Sequence, residues 1–163
     1  MGAIEILAFS VHLPGRKKSE YPGTPSQPKG ATAYVRAGNQ LVDELGRIAQ
    51  GAPVILGGDW NLTVGRHRAP DEINDRGEVE LLERLKSELG VVSAWPAFNA
   101  GAALVQTLRW KGDALASFHC DGIFVPETWA PRIRRAEVLV GPEWVKLSDH
   151  NPVVVDLDEA GLI

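Results

Sequence analysis

Cysteine and methionine occur once each in this 163-residue chain, and histidine four times. A lone cysteine, Cys120, cannot close an internal disulfide, so an oxidising compartment is not required. An unpaired thiol is more often a small buried hydrophobe than a nucleophile. His119 and Cys120 are adjacent but no second pair accompanies them, which argues against a structural zinc site. Positive charge is not in excess: 17 Lys and Arg face 21 Asp and Glu, for a net charge of −4. That argues against bulk, sequence-blind attraction to nucleic acid. It leaves room for a local basic patch, or for a metal that neutralises phosphate by itself. No apolar run approaches the roughly 20 residues that cross a bilayer. The apolar opening, residues 1–11, carries Glu5 and lacks a positive start, so it reads as a strand and not a signal peptide. Internal repeats and low-complexity tracts are also missing. The expectation is one domain over residues 1–163, cytoplasmic, with a core of ordinary size.

What is present alternates between strand and helix signals. Residues 4–11 are rich in strand formers and run into His12-Leu13-Pro14-Gly15. Residues 16–30, with Lys17, Lys18 and several prolines, form a long loop. Val35, Leu41, Val42, Leu45, Ile48 and Ala49 recur at helical spacing until Gly51 and Pro53. Residues 53–56 are a short buried strand halted by Gly57 and Gly58. A polar loop over residues 63–75 leads to a second helix, with Val79, Leu82, Leu85 and Leu89 as its stripe and Gly90 as its stop. Short strands are expected at residues 91–95, 107–110, 119–125, 137–140 and 153–157, with a Gly/Ala-rich loop at 96–103. The class is α/β.

Three blocks stand at strand ends and carry polar chemistry. Asp59 and Asn61 follow Gly57-Gly58, and residues two apart on an extended segment lie on one side. Asp59 suits a base or metal ligand, and Asn61 suits contact with a phosphoryl oxygen. Taken alone, Asp-x-Asn reads more readily as an Asx-turn. In the second block Asp121 heads the apolar run Gly122-Ile123-Phe124-Val125, where a strand-entry cap is the simpler reading. The third block is Ser148-Asp149-His150-Asn151-Pro152-Val153. Its carboxylate suits a hard cation and its imidazole suits proton transfer near neutral pH, while an exposed polar pair is equally consistent.

In this order, Gly-Asp-Trp-Asn at residues 58–61, the Asp-headed strand at 121 and Ser-Asp-His-Asn-Pro-Val at 148–153 resemble the endonuclease/exonuclease/phosphatase superfamily. Trp60 stands where that family usually has Phe. His12 in Ser-Val-His-Leu-Pro-Gly resembles its strand ending in His-Leu, and Thr107-Leu108-Arg109-Trp110 resembles a further short piece. The resemblance implies a metal-dependent phosphoesterase acting by in-line attack of water, with nucleic acid the first-choice substrate. It implies Mg²⁺, with Mn²⁺ as substitute, held by Asp149. His150 would lie beside the scissile phosphate, with Asp121 hydrogen-bonded to it. Asp59 would orient or deprotonate water, Asn61 would contact phosphate or water, and His12 would stabilise phosphoryl charge. Arg66 and Arg109 are the candidate substrate-binding residues.

The resemblance also implies part of a four-layer α/β sandwich of the deoxyribonuclease-like type, with the family's N-terminal half missing. That half normally brings an Asn on the opening strand and a metal-binding Glu. The chain is then expected to supply roughly one sheet with its helices, leaving a sheet face open to self-association. A competing reading is a non-catalytic remnant, or a half-domain that needs a partner chain. Another is a phosphatase for phosphoinositide, phospholipid or small phosphate esters.

Overall fold

The computed structural model describes residues 5–15, 33–64, 74, 76–109 and 118–160. The expected loop at residues 16–30, most of that at 63–75, Arg66 and Trp110 lie outside them. Along the chain run β1 (Leu7–His12), α1 (Ala33–Ala49), β2 (Val54–Asp59), α2 (Arg76–Leu89), β3 (Val91–Ser93) and α3 (Ala94–Phe98). Then follow β4 (Asp121–Pro126), a 3-10 turn over Glu127–Arg132, β5 (Ile133–Val138), α4 (Pro142–Val145) and β6 (Val153–Leu157). None of the described helices is long and apolar enough to cross a membrane.

The strands form two sheets. In the larger, of order β1-β2-β4-β3, β1 and β2 are parallel while β4 runs antiparallel to both its neighbours. Helices α1 and α2 cover one face, where Val35, Val42, Leu45, Leu81 and Leu85 bury against Val11, Val54, Leu56, Val91 and Phe124. Removing such apolar area from water is the main stabilising contribution, roughly 25 cal/mol per Å². Gly38 lets the helices approach, since a Cβ there would sit 2.4 Å from Leu81 Cδ2. Behind β4, alternation turns Ile123 and Val125 to the opposite face. There they meet Ala94, Ile133, Ala136, Val155 and Leu157, from α3 and the two-stranded β5-β6 sheet.

The expectation of roughly one sheet is therefore corrected to a helix layer, a large sheet and a small second sheet. The face of β1 turned away from the helices stays open, with Ala8, Ser10 and His12 exposed.

Several boundaries differ from the sequence reading, each for a local reason. Gly57 and Gly58 do not end β2 but lie inside it, and at Gly58 the backbone of β1 passes so close that a side chain cannot fit. The expected strand at 91–95 ends at Ser93, and α3 begins at once. Pro96 is accommodated because first-turn N–H groups need no helical partner. Strand β5 spans Ile133–Val138 and not 137–140. A register shift between Ile133 and Arg135 puts Ile133 and Ala136, three apart, on one face and hides the two-residue alternation. On α2 the buried positions are Glu78, Leu81 and Leu85, whereas Val79 faces outward. The Tyr34 hydroxyl donates to the Glu78 carboxylate, which is what makes a buried acid tolerable there.

Gly58 has φ +147°, and a Cβ on it would fall 1.8 Å from the Val11 carbonyl oxygen. Gly51 also has positive φ but nothing within 4 Å of its added Cβ. Gly51→Ala should lose about 1–2 kcal/mol from backbone strain alone. Gly58→Ala should lose about 1–3 kcal/mol more, because backbone must move. Urea denaturation of both variants measures the difference, and equal losses would contradict the close approach.

Candidate functional site

Register builds the site. His12 on β1 stands opposite Asp59 on β2, and Asp59 stands opposite Asp121 on β4, so three polar residues end three adjacent strands at one level. One step inward, Gly58 faces Gly122. A Cβ on Gly122 would come 2.6 Å from Val64 Cγ2, so the segment after β2 lies directly over β4. Trp60 anchors that segment: it is fully buried, tilts against Phe124 at 4.6 Å between ring centroids, and donates from Nε1 to the Gly122 carbonyl at 3.3 Å.

Asp59 and Asn61 form the Asx-turn that composition suggests. The Asn61 backbone N–H donates to Asp59 Oδ1 at 2.9 Å, with Asn61 at φ +53°. Asn61 Nδ2 donates to Asp59 Oδ2 at 3.1 Å and to the Leu13 carbonyl at 2.7 Å. Both amide hydrogens are thereby used, which leaves Asn61 an acceptor and not a donor towards any ligand. The expected donation to a phosphoryl oxygen is corrected accordingly; the free amide oxygen suits a water. His12 is largely exposed, with Nε2 3.9 Å from Asp59 Oδ2.

His150 meets Asp121 from the loop before β6. Its Nδ1 lies 3.0 and 2.9 Å from the two carboxylate oxygens. Because a carboxylate only accepts, Nδ1 carries the hydrogen and Nε2 faces away. Asp121 is mostly buried, and desolvation raises its pKa above the ordinary carboxylate value; the His150 contact opposes that rise and the nearby Asp59 charge adds to it. Burial likewise pushes the Cys120 thiol well up, with the Asp121 and Asp59 charges contributing, so it stays protonated. His119 points elsewhere: its Nδ1 donates to the Val105 carbonyl at 2.6 Å, and burial lowers its pKa.

Arg109 departs from its expected role. It is buried, and its guanidinium donates to Asn151 Oδ1 and to the Ser148 and His150 carbonyls. Its described partners all lie within the loop that carries His150. Thr107 and Asn151 were not among the expected site residues. The Thr107 hydroxyl accepts from the backbone N–H groups of Cys120 and Asp121 at 2.9 and 3.0 Å. Asn151 donates from Nδ2 to the Gln106 carbonyl at 2.9 Å. A polar side chain inside an otherwise apolar strand signal was the available hint, but spacing alone does not say what it holds.

Among the described residues, one group has ligand atoms close enough for a metal: Cys120, Asp121 and His150, all within 4.8 Å. It fits Mg²⁺ poorly, since a hard cation prefers oxygen. Here the thiol is protonated and the imidazole nitrogen facing the acid is already bonded to it. Asp149 lies outside that group. Its side chain is 69% exposed, 4.0 Å from His150 Nε2, and offers one carboxylate to a cation. Both Asp59 oxygens already accept from Asn61.

No family model matches the chain, and comparison with curated protein sequences finds no match. Solved structures do match. An AP endonuclease from Archaeoglobus fulgidus superposes with a TM-score of 0.71 at 15% identity, over 94% of this chain and 62% of that one. A mannosyl-6-phosphatase from Bacteroides thetaiotaomicron gives 0.60 at 19% identity, over 95% of this chain and 52% of that one. The catalytic domain of Xenopus laevis APE2 gives 0.60 at 18% identity, over 83% of this chain and 46% of that one. The chain thus spans about half to three-fifths of the length of these structures. It has the deoxyribonuclease-like α/β fold of these structures.

The raised pKa of Asp121 has a consequence for stability. Its folded value lies above its unfolded value, so the protonated carboxyl costs nothing extra, and the cost appears as pH rises through the folded value. The cost is therefore greater at pH 7.5 than at pH 4. Asp121→Asn should therefore match or exceed the parent Tm at pH 7.5, and lose that relative advantage at pH 4. Thermal scans at both pH values decide it; a larger deficit at pH 7.5 than at pH 4 would mean that the charge is net stabilising through His150.

Proposed function

We propose that this chain is the C-terminal part of a divalent-metal-dependent phosphoesterase that hydrolyses phosphodiester bonds, with nucleic acid as the first-choice substrate class. The observation that carries the reading is the Asp121–His150 pair, seated beside Asp59 at the ends of adjacent strands. Such a pair fixes the imidazole tautomer, so that Nε2 can take or give a proton at a phosphate oxygen or the leaving oxygen. Asp59, held by Asn61, would orient or deprotonate the attacking water. The open rim at His12 would place an imidazole near the phosphoryl charge. Divalent metal would supply charge neutralisation on the non-bridging oxygens. Asp149 would hold it through its exposed carboxylate, with waters and the substrate phosphate completing the shell, the common manner of binding for Mg²⁺.

The name of one structural neighbour, an AP endonuclease, supports nucleic acid. That of another, a mannosyl-6-phosphatase, supports a second reading, a phosphomonoesterase for small substrates.

Hydrolysis of bis-p-nitrophenyl phosphate, p-nitrophenyl phosphate and plasmid DNA, each with Mg²⁺ or Mn²⁺, tests these readings together. His150→Ala should lower diester turnover about 10²–10⁴-fold, the usual worth of positioned proton transfer. Asp149→Ala should raise the metal concentration needed for half-maximal rate, and chelation should abolish the rate. Turnover that survives both substitutions sinks the assignment. Preference for the monoester would favour the second reading.

A further inference from the structure

We infer that Arg109 is a positioning residue: with Thr107, it makes residues 106–109 the frame that seats His150 against Asp121. This deepens the phosphoesterase reading and rests on it. The segment is a one-residue middle strand, because Leu108 bridges Phe118 on one side and His150 on the other. On the Asp121 side, Thr107 N–H donates to the Phe118 carbonyl at 2.7 Å. The Thr107 hydroxyl meanwhile accepts from the two consecutive N–H groups that lead into the acid. Its own hydrogen has the Phe118 carbonyl at 3.3 Å and the Cys120 sulfur at 4.0 Å as acceptors, so both its donor and its acceptor capacity are engaged. On the His150 side, Arg109 N–H donates to the Asp149 carbonyl at 2.8 Å, and Asn151 N–H to the Thr107 carbonyl at 2.7 Å. The guanidinium then spans the loop from within, reaching Asn151 Oδ1 and the Ser148 and His150 carbonyls.

Acid and imidazole stand 29 residues apart in sequence, and both are referred to the same four residues. A planar fork can hold three acceptors at fixed angles, whereas an ammonium on a flexible stem cannot. Charge alone should therefore fail to replace Arg109, and a hydroxyl alone should suffice at position 107.

The test compares Arg109→Lys, Thr107→Val and Thr107→Ser with the parent. His150 ring signals are read by ¹H–¹⁵N spectroscopy and assigned by their loss in His150→Gln. In the parent, His150 should show one tautomer with hydrogen on Nδ1. Arg109→Lys and Thr107→Val should mix the tautomers and lower kcat on the diester about 10²-fold, the scale of loss for an ångström of misplacement. KM and the affinity for inorganic phosphate should stay within twofold. Thr107→Ser should restore the single tautomer. An unchanged tautomer in Arg109→Lys overturns the inference, as does an approximately tenfold loss of phosphate affinity, which would make Arg109 a substrate contact. If Arg109→Lys does not fold, the Thr107→Val and Thr107→Ser contrast decides alone. The ring signals do not depend on turnover, so absence of hydrolysis in the parent would defeat the phosphoesterase reading while leaving this inference measurable.

Discussion

The pairing of β2 with β4 is the constraint on which everything else rests. Gly58 opposite Gly122 sets a tight waist, and the next pair outward is Asp59 opposite Asp121. Each glycine is needed by a different neighbour: the β1 backbone at Gly58, and Val64 at Gly122. A one-residue slip would turn the acids to opposite faces and drive Phe124 out of the core, so the hydrophobic register and the polar site are set by the same hydrogen bonds. Burial of Leu56, Trp60 and Phe124 on the helix side thus fixes the placement of carboxylates that contribute no apolar burial of their own.

Electrostatics at those strand ends pulls in two directions. Burial raises Asp121 and keeps the Cys120 thiol protonated, while His150 favours the charged acid. The balance suits a group that orients an imidazole without becoming a ligand itself. Asp149, one residue from His150, is turned to solvent. Two neighbouring residues on one loop thereby take up different surroundings, the imidazole facing inward to an acid and the carboxylate facing outward to solvent. Buried Arg109 brings a second unusual feature, a guanidinium whose described partners are all neutral oxygens. Removing such a charge from water is costly unless its hydrogen bonds are satisfied. Its cost is offset by ordering a loop that has no regular secondary structure to hold it.

Much of the architecture was legible in the residues. The α1 stripe, the apolar β2, the strand headed by Asp121 and the final valine-rich strand follow from periodicity and breakers. The set of Asp59, Asp121 and His150 followed from block order and resemblance. What periodicity could not reveal was β5, where a bulge breaks alternation, and the turn of α2, where a buried Glu78 takes a place that its type disfavours. Nor could it show that two glycines inside β2 are strand residues, since glycine reads as a breaker until the opposing backbone is known.

Local chemistry in the sequence determined which residues could bear the function: carboxylates, imidazoles and an amide at the ends of apolar strands. Only the tertiary structure decided their relations. It turned Asn61 into an acceptor by occupying both its hydrogens, and withdrew Arg109 from the surface to hold a loop. It also gave Thr107 the task of setting Asp121. The physical reason is that a side chain's type fixes what it can donate or accept, whereas its partners come from segments tens of residues away, brought near by burial of a core to which these polar groups do not belong.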